Sequence, residues 1–360
     1  MTTTTVQKQG SPPLPASGIV LLIVALASIG VAWSLQLSQG MQVTGLSQQV
    51  VWGLYIAGFF TAAGAGAGLV TLTALGEFTP SIPTTQRRSM LLLALACFVA
   101  AGVLIAMDLG HPLNTWRIAT AGRFSSIMTW DFWALAASGL LTLVYLIAAW
   151  NHAASTETTR LLAVLASLTA LALVAAESWM LSVLVARPFW GGGLTLINFL
   201  AAGAVAALAV GVLAWKNLSP RFGQWLALAI GVSLVLVLAE VLTLLVGTDP
   251  RSSAEMTALL AGNVSPLFWA HVVVGLVLPL ALLVLGKGAG RLPAVAVLAL
   301  LGVVVHKLWM LVVGQTVPWL ALPEGNYWPT WSEYLGVLGA VALVAGIHIA
   351  ARQVTHLREE

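Results

Sequence analysis

The stretch LPAVAVLALLGVVVHKLWMLVVG at residues 292–314 decides the fold, because it is long and apolar enough to cross a membrane as one helix. Two polar residues, His306 and Lys307, stand in its second half. A charge in the bilayer core costs at least about 2.5 kcal/mol, so such residues must be satisfied inside the protein. The stretch therefore predicts a membrane-spanning helix whose buried face carries a polar site.

The composition of the whole chain also places it in the membrane. Of its 360 residues, 59% are hydrophobic and only 8% are charged, and the mean hydropathy is +0.97. A chain of this composition is expected to contact membrane lipid and not nucleic acid. Apolar runs of about 20 residues predict an all-α integral membrane protein with about ten transmembrane helices. The runs lie at residues 17–39, 50–75, 89–109, 130–150, 160–186, 193–215, 223–247, 265–286, 292–314 and 332–351.

Basic residues are distributed unequally between the two sides that ten spans define. The side with both termini holds ten Lys and Arg residues, and the other side holds only Arg117, Arg123, Arg187 and Arg251. Basic loops tend to stay on the cytoplasmic side of a membrane. We therefore predict cytoplasmic termini, with the long loops at 110–129, 248–264 and 315–331 on the outer side.

Several ionisable residues lie inside the predicted helices, mostly toward the outer side. At a rise of about 1.5 Å per residue, Glu240, His271 and His306 lie roughly 9 to 12 Å below the outer ends of their helices. Glu177 lies somewhat deeper. The outer half is therefore predicted to be polar inside and the inner half nearly apolar. A lone buried Glu or His can equally be a structural hydrogen-bond partner between helices.

Other polar and small residues favour structural roles. Asp131 and Glu333 fall in the first turns of their helices, where a carboxylate offsets the helix dipole, and Asp108 closes a helix. The sequence GAGAG at 64–68 predicts close contact with another helix. Most tryptophans are typical of the membrane interface, and only Trp52 is given a functional role.

The cysteine and histidine content limits the redox centres of the chain. Cys97 is the only cysteine, and an iron–sulfur cluster needs several thiols, so we expect no cluster here. His271 with His306 is the one plausible pair of haem ligands, which leaves a b-type cytochrome subunit as an alternative. A proton- or ion-coupled transporter is a second alternative, and it should place polar residues at both faces. We expect no haem, no metal site and no catalytic residue.

Several stretches, in order along the chain, resemble a known family. MDLGHPLNTWRIATAGRFSSIMTWDFW at 107–133 resembles the signature loop of the NrfD/PsrC family, the integral membrane subunits of polysulfide-reductase type. Three more stretches are similar to other segments of the family: WGLYIAGFFTAAGAGAG at 52–68, ARPFWGGGLTLINFLAAG at 186–203 and FWAHVVVGLVLPL at 268–280. The ending resembles that of the ten-helix members, with VVGQTVP at 312–318 and YWPTWSE at 327–333.

The resemblance implies two four-helix bundles, built from helices two to five and six to nine, with one flanking helix at each end. The resemblance divides the chain into five segments. They are a cytoplasmic tail at 1–16, a flanking helix with an outer loop at 17–49, the first bundle at 50–190, the second bundle at 191–314, and an outer loop with the last helix and a cytoplasmic tail at 315–360. The resemblance also implies the quinone-binding anchor subunit of a respiratory oxidoreductase in a bacterial or archaeal cytoplasmic membrane. A ferredoxin-like iron–sulfur subunit would dock outside and exchange electrons between menaquinone or ubiquinone and a catalytic subunit, often of molybdopterin type.

The resemblance also suggests roles for individual residues. A quinone site needs apolar walls, a donor for each carbonyl and groups that exchange two protons. The expected quinone-binding residues are Trp52, Tyr55, Asp108, His111 and His271. The expected proton-relay residues are Glu177, Glu240, His306 and Lys307, and those expected to dock the partner are Arg117, Arg123 and Arg187. The chain departs from the family at His271, near which other members often carry an acid.

Overall fold

A computed structural model describes residues 15–79, 82–110, 114–150, 154–215, 221–247, 250–286, 289–317 and 325–354. Within these ranges ten helices are long and apolar enough to cross a membrane, which confirms the predicted fold class. The first six spans are α1 Ala16–Gln39, α2 Leu54–Phe78, α3 Thr84–Asp108, α5 Ile127–Trp150, α6 Thr156–Ser182 and α7 Thr195–Ala214. They are followed by α8 Arg221–Val246, a composite span at Ser265–Val284, α12 Leu292–Thr316 and α13 Trp331–Val354.

Two bundles of four helices share one interface. In the first bundle α2 packs against α3 and α6, and α5 closes the ring between α3 and α6. In the second, α7 packs against α8 and α12, and a composite span closes the ring between α8 and α12. The composite span consists of α10 Ser265–Trp269, a π-helix Ala270–Val277 and α11 Leu278–Val284. Helix α2 also packs along α7 and so joins the bundles. The flanking helices α1 and α13 pack together, and α13 lies on α3.

Small residues allow the bundles to approach closely. A Cβ atom built at Gly64 of α2 would lie 3.2 Å from the Cα of Gly203 on α7. One built at Gly68 would lie 2.6 Å from the Cβ of Ala207. The GAGAG sequence therefore makes the predicted close helix contact, and the helix that it contacts, α7, belongs to the second bundle.

Local signals set the helix boundaries. Helix α3 begins at Thr84 rather than 89, directly after Pro83, because proline is tolerated at a helix start. Helix α6 begins earlier than residue 160 because the Ser155 hydroxyl accepts a hydrogen bond from the Thr158 N–H at 3.1 Å. A short 3₁₀ helix at Pro188–Gly191 separates α6 from α7 at the predicted turn.

Two short helices lie in the predicted outer loops. Helix α4 spans Trp116–Ala121 and helix α9 spans Pro250–Leu260. Both are too short to cross a membrane, and a search for apolar runs of about 20 residues does not detect them.

The predicted inner ends of the helices are more polar than the sequence indicates. Arg87 and Glu77 form an ion pair at 2.6 Å, and the Tyr145 hydroxyl donates to Glu77 at 2.8 Å. His348 is buried near the end of α13. The prediction of a nearly apolar inner half is therefore wrong at these positions, because an averaged hydropathy hides single polar residues inside apolar runs.

Candidate functional site

A cluster of ionisable side chains, four of them buried and Glu240 partly buried, lies in the interior where the bundles meet. His306 and Lys307 come from α12, His271 from the π-helix, Glu177 from α6 and Glu240 from α8. Glu177 is fully buried, and both histidines and the lysine are at most 3% exposed. The structure thus brings together all four predicted relay residues and one residue predicted to bind quinone. We call this set the central cluster.

The two histidines of the central cluster lie face to face. Their ring centroids are 4.6 Å apart and their planes differ by 4°. The Trp309 indole N–H donates to Nδ1 of His271 at 3.2 Å, so Nδ1 is an acceptor and the proton of a neutral ring lies on Nε2. Axial haem ligands instead point one nitrogen each at an iron between them. The stacked pair does not fit that arrangement, which disfavours the cytochrome alternative.

Backbone contact fixes the position of the histidine pair. Cβ atoms built at Gly275 and Gly302 would each lie 2.5 Å from the Cα of the other glycine. Only residues without a side chain allow the composite span and α12 to pack this closely. The π-helix places Gly275 one turn after His271 on the side that faces α12. π-Helical turns occur often at functional sites, because they shift side chains out of the α-helical register.

Lys307 contributes the only amine of the central cluster. Its Nζ lies 3.0 Å from the centroid of the Phe199 ring, a cation–π contact that partly compensates for lost water. Glu177 and Glu240 both lie within electrostatic range of Lys307. Within the described residues, the Lys307 amine and both Glu177 carboxylate oxygens have no hydrogen-bond partner. Buried polar atoms of this kind usually have partners, so the geometry fits groups that hold and pass protons or small polar ligands.

Asp131 extends the central cluster toward α5. It is 6% exposed and lies within electrostatic range of Glu177. Its first-turn position suggested a role in offsetting the helix dipole, and that position gave no sign of the electrostatic interaction with Glu177. The sequence analysis also missed Phe199 and Trp309, since aromatic residues in apolar helices are usually core.

A second group of polar residues, the outer cluster, lies at the opposite end of α13 from His348. It consists of Tyr55, Asp108, Tyr327 and Glu333. The Tyr327 hydroxyl donates to Glu333 at 2.5 Å and accepts the Leu54 N–H at 2.7 Å. Asp108 lies within electrostatic range of both tyrosines. Burial and the Glu333 carboxylate raise the pKa of the Tyr327 phenol, so it remains a neutral hydrogen-bond donor.

Glu333 has the structural role that its position suggested, together with further bonds. It accepts the Thr330 N–H at 3.0 Å, which is the acidic half of a capping box at the start of α13. It also accepts the Gly45 N–H at 2.7 Å. The Tyr55 hydroxyl donates to the Ser332 carbonyl at 3.1 Å. The outer cluster therefore ties the loop after α1 to the starts of α2 and α13.

Arg187 lies in a third group, where it binds backbone rather than an acid. Its guanidinium donates to the carbonyls of Gln315 at 3.0 Å, Gln49 at 3.2 Å and Gly314 at 3.4 Å. Partial burial lowers the pKa of the guanidinium, which remains charged because an arginine in a protein does not deprotonate. No carboxylate pairs with Arg187 among the described residues. Docking by Arg187 remains a prediction.

Trp52 belongs to the same third group. Its ring stacks on Trp190 with centroids 5.6 Å apart, and its N–H and carbonyl are both bound by the Gln315 amide. The residues predicted to bind quinone therefore do not form one slot. Tyr55 and Asp108 share the outer cluster, His271 lies in the central cluster, and Trp52 lies between the bundles. His111 lies outside the described residues.

The two remaining docking residues lie on the surface of the loop between α3 and α5. Arg117 and Arg123 are exposed, and the Arg117 guanidinium lies 5.8 Å from the Trp116 ring centroid. Trp116 and Phe124 are 60% and 66% exposed. Exposed aromatic residues beside arginines are typical of protein interfaces.

Comparison with known proteins gives a consistent set of relatives. Residues 42–318 match the family described as "Polysulphide reductase, NrfD". A putative dimethyl sulfoxide reductase membrane subunit of Halobacterium salinarum is 30% identical over 233 residues, 58% of this chain but only about half, 52%, of that relative. A selenate reductase subunit of Mesobacillus selenatarsenatis is 24% identical, over 95% of this chain and 94% of the relative. An Hdr-like menaquinol oxidoreductase integral membrane subunit of Archaeoglobus fulgidus is 24% identical, over 91% of this chain and 89% of the relative.

Proposed function

Because the chain belongs to the NrfD family, we propose that it is the quinone-binding membrane anchor of a respiratory oxidoreductase complex. Family membership makes it a multi-pass membrane subunit of the oxidoreductase type. Beyond family membership, we propose that the chain binds a quinone and that it exchanges electrons with an extracytoplasmic iron–sulfur subunit, which in turn contacts a catalytic subunit. The Archaeoglobus relative is named as part of a menaquinol oxidoreductase, which supports a quinol as the substrate.

The central cluster is the observation that carries this proposal. Oxidation of a quinol releases two electrons and two protons, so its site needs groups that accept protons without solvent nearby. Glu177, Glu240 and the stacked histidines supply such groups, and Lys307 offsets negative charge among them. Ionisable residues inside a membrane are costly and usually mark a pathway for protons, ions or substrate. Proton translocation by the central cluster is part of the proposal.

The quinone headgroup itself is proposed to bind toward the outer cluster. One carboxylate oxygen of Asp108 has no hydrogen-bond partner within the described residues. Asp108 lies within electrostatic range of Tyr55, and His111 follows three residues later in the sequence. Asp108 and His111 supply a carboxyl group and an imidazole at the predicted outer end, and Tyr55, whose hydroxyl donates to the Ser332 carbonyl, adds an aromatic wall. His271 and Trp52 lie farther toward the bundle interface, where they would line the route between the headgroup and the central cluster.

Electrons are proposed to leave through the outer surface, because this chain has a single cysteine, too few thiols to hold a cluster of its own. Arg117 and Arg123, with the exposed Trp116 and Phe124 beside them, offer the partner a basic and aromatic surface. A partner with an acidic face would be attracted to it at low ionic strength.

Low-temperature electron paramagnetic resonance on the complex, purified through a tag on this chain, tests the proposal. We expect menaquinol to produce the signal of a reduced iron–sulfur cluster. Failure to obtain such a signal even with dithionite would overturn the proposed partner. A dithionite signal that no quinol reproduces would overturn the proposed substrate.

A pair of variants tests the role of the central cluster in the same assay. Lys307→Met removes the buried charge and should slow the appearance of the quinol signal while leaving the dithionite signal unchanged. Arg291→Gln removes a cation from the exposed start of the same helix and serves as the matched control. Equal rates for both variants would remove Lys307 from the proton route.

A further inference from the structure

An apolar groove of about 400 Å³ lies between α2, α3, α7, α12 and α13. The residues assigned above to quinone, protons and docking do not line it. We propose that this groove binds one acyl chain of an anionic phospholipid, with the lipid phosphate on Arg352 and an ester carbonyl on His348. The proposal is independent of the quinone function.

The shape of the groove fits a single linear chain. On α13 its wall extends from Val337 to Arg352, which at a rise of about 1.5 Å per residue corresponds to about 22 Å along the membrane normal. Two opposed layers of acyl chains fill a hydrocarbon core of about 30 Å, so a groove of this length holds an entire chain. Small residues on α2, among them Gly58, Ala62 and Ala65, leave the space open.

The groove is polar at one end. His348 lines it there, is only 5% exposed, and neither of its ring nitrogens has a hydrogen-bond partner within the described part of the chain. Its ring stands edge-on to Trp215 with centroids 6.0 Å apart, which fixes its orientation. A buried imidazole without a partner loses the hydrogen bonds that it makes in water. A ligand with an acceptor at this position would restore one of them.

Arg352 stands one helical turn beyond His348, at the mouth of the groove. Among the described residues its guanidinium makes one long hydrogen bond, 3.3 Å, to the Ala214 carbonyl. A guanidinium has five N–H donors, so this bond leaves donors to bind a phosphate. No Asp or Glu lines the groove among the described residues, so the mouth carries a positive charge without an opposing carboxylate in the wall.

The order of His348 and Arg352 along the groove matches the order of polar groups in a phospholipid. In a phospholipid the ester carbonyls lie a few bonds below the phosphate, toward the chains. His348 likewise lies about 6 Å below Arg352, four residues at about 1.5 Å each. The positive-inside distribution places this end at the cytoplasmic surface, where basic pockets between helices bind anionic headgroups. A phosphate-bearing lipid therefore matches both the apolar wall and its polar end.

Cys97 makes the groove directly measurable. It lines the groove and is the only cysteine of the chain, so a thiol reagent reports on this place alone. The full chain is stripped of lipid in detergent and its labelling by N-ethylmaleimide is timed with added phosphatidylglycerol or phosphatidylcholine of identical chains. We expect phosphatidylglycerol to protect at about fivefold lower concentration, the effect of one cation near an anionic headgroup.

Two variants separate charge recognition from apolar packing. Arg352→Gln should abolish the preference for phosphatidylglycerol, and the control Arg291→Gln, on the same predicted side, should retain it. Equal protection by both lipids in the unchanged chain would overturn the proposed headgroup recognition. Protection by neither lipid would overturn the site, and stronger protection by menaquinone than by phospholipid would assign the groove to a quinone tail instead.

Native mass spectrometry gives a second measurement that does not need Cys97 to react. The unchanged chain should retain phosphatidylglycerol through detergent exchange, whereas Ala345→Phe, which fills the groove, and Arg352→Gln should lose it. The same retention in all three proteins would overturn the proposal even if Cys97 proves inert.

Discussion

Replacing Gly275 by alanine tests whether backbone contact between the composite span and α12 holds the central cluster together. The new Cβ would lie 2.5 Å from the Cα of Gly302, whereas carbon atoms in ordinary contact are about 3.5 to 4.0 Å apart. The two helices must therefore separate by about 1 Å. That movement would stretch the bond between Trp309 and His271, now 3.2 Å, beyond hydrogen-bonding distance.

The cost of Gly275→Ala follows from these two effects. Overpacking a well-filled contact costs about 1 to 3 kcal/mol. A hydrogen bond between membrane helices adds about 0.6 kcal/mol. The control is Gly231→Ala on α8, where an added Cβ meets nothing within 4 Å. Since both changes raise helix propensity, the difference between the two variants isolates the contact, and we expect about 1.6 to 3.6 kcal/mol.

Two readouts decide the outcome of this comparison. Thermal unfolding in detergent should rank Gly275→Ala clearly below Gly231→Ala. Quinol-linked reduction of the partner cluster should fall as much as about 100-fold in Gly275→Ala alone, because a displacement of about 1 Å can have that effect on a reacting site. Equal stability of the two variants would refute the packing argument. Lower stability with unchanged turnover would mean that the histidine pair does not need its present position.

Three further predictions concern the charged residues. Lys307→Met should lower steady-state quinol oxidation by about 100-fold, the usual contribution of a positioned proton-transfer group, and a rate within twofold of the unchanged chain would contradict this. Arg187→Gln should lower the free energy of unfolding by about 1 to 3 kcal/mol, because three backbone carbonyls lose a charged donor; unchanged stability with loss of the partner subunit would show that docking is its main role instead. Arg123→Glu should weaken co-purification of the extrinsic partner more at low salt than at high salt, and equal recovery of the partner would exclude this surface.

The membrane spans could be predicted from the sequence because each one is an apolar run of sufficient length. The shared level of two residues could be predicted as well, since counting residues from the helix ends placed His271 and His306 at similar depths and their rings stack. Rotation about each helix axis could not, because ten largely apolar helices give little contrast between their faces. The position of Asp131 beside Glu177 depends on that rotation. The π-helix around His271 likewise depends on the tertiary contact between Gly275 and Gly302.

The expected quinone slot shows the same limit. Trp52, Tyr55 and His271 have the residue types that a quinone site needs, but composition and spacing do not reveal which hydrogen bonds the fold itself uses. Tyr55 donates to the Ser332 carbonyl, and the backbone of Trp52 is bound by Gln315. Such long-range bonds join residues more than 250 positions apart. The family resemblance identified the class of protein, and only the structure separates the residues that bind backbone from those that remain available to a ligand.

Side chains that bind backbone groups hold the segment between α1 and α2 in place at the predicted outer surface. Gln315 binds the N–H groups of Val51 and Trp52, Glu333 binds that of Gly45, and Arg187 binds the carbonyl of Gln49. At a membrane boundary these polar groups would otherwise need water. The segment between α1 and α2 is therefore held in place before any partner arrives. A partner that docks on a preorganised surface loses less conformational entropy on binding, and the proposed redox centre of that partner would then lie at a constant distance from the proposed quinone site.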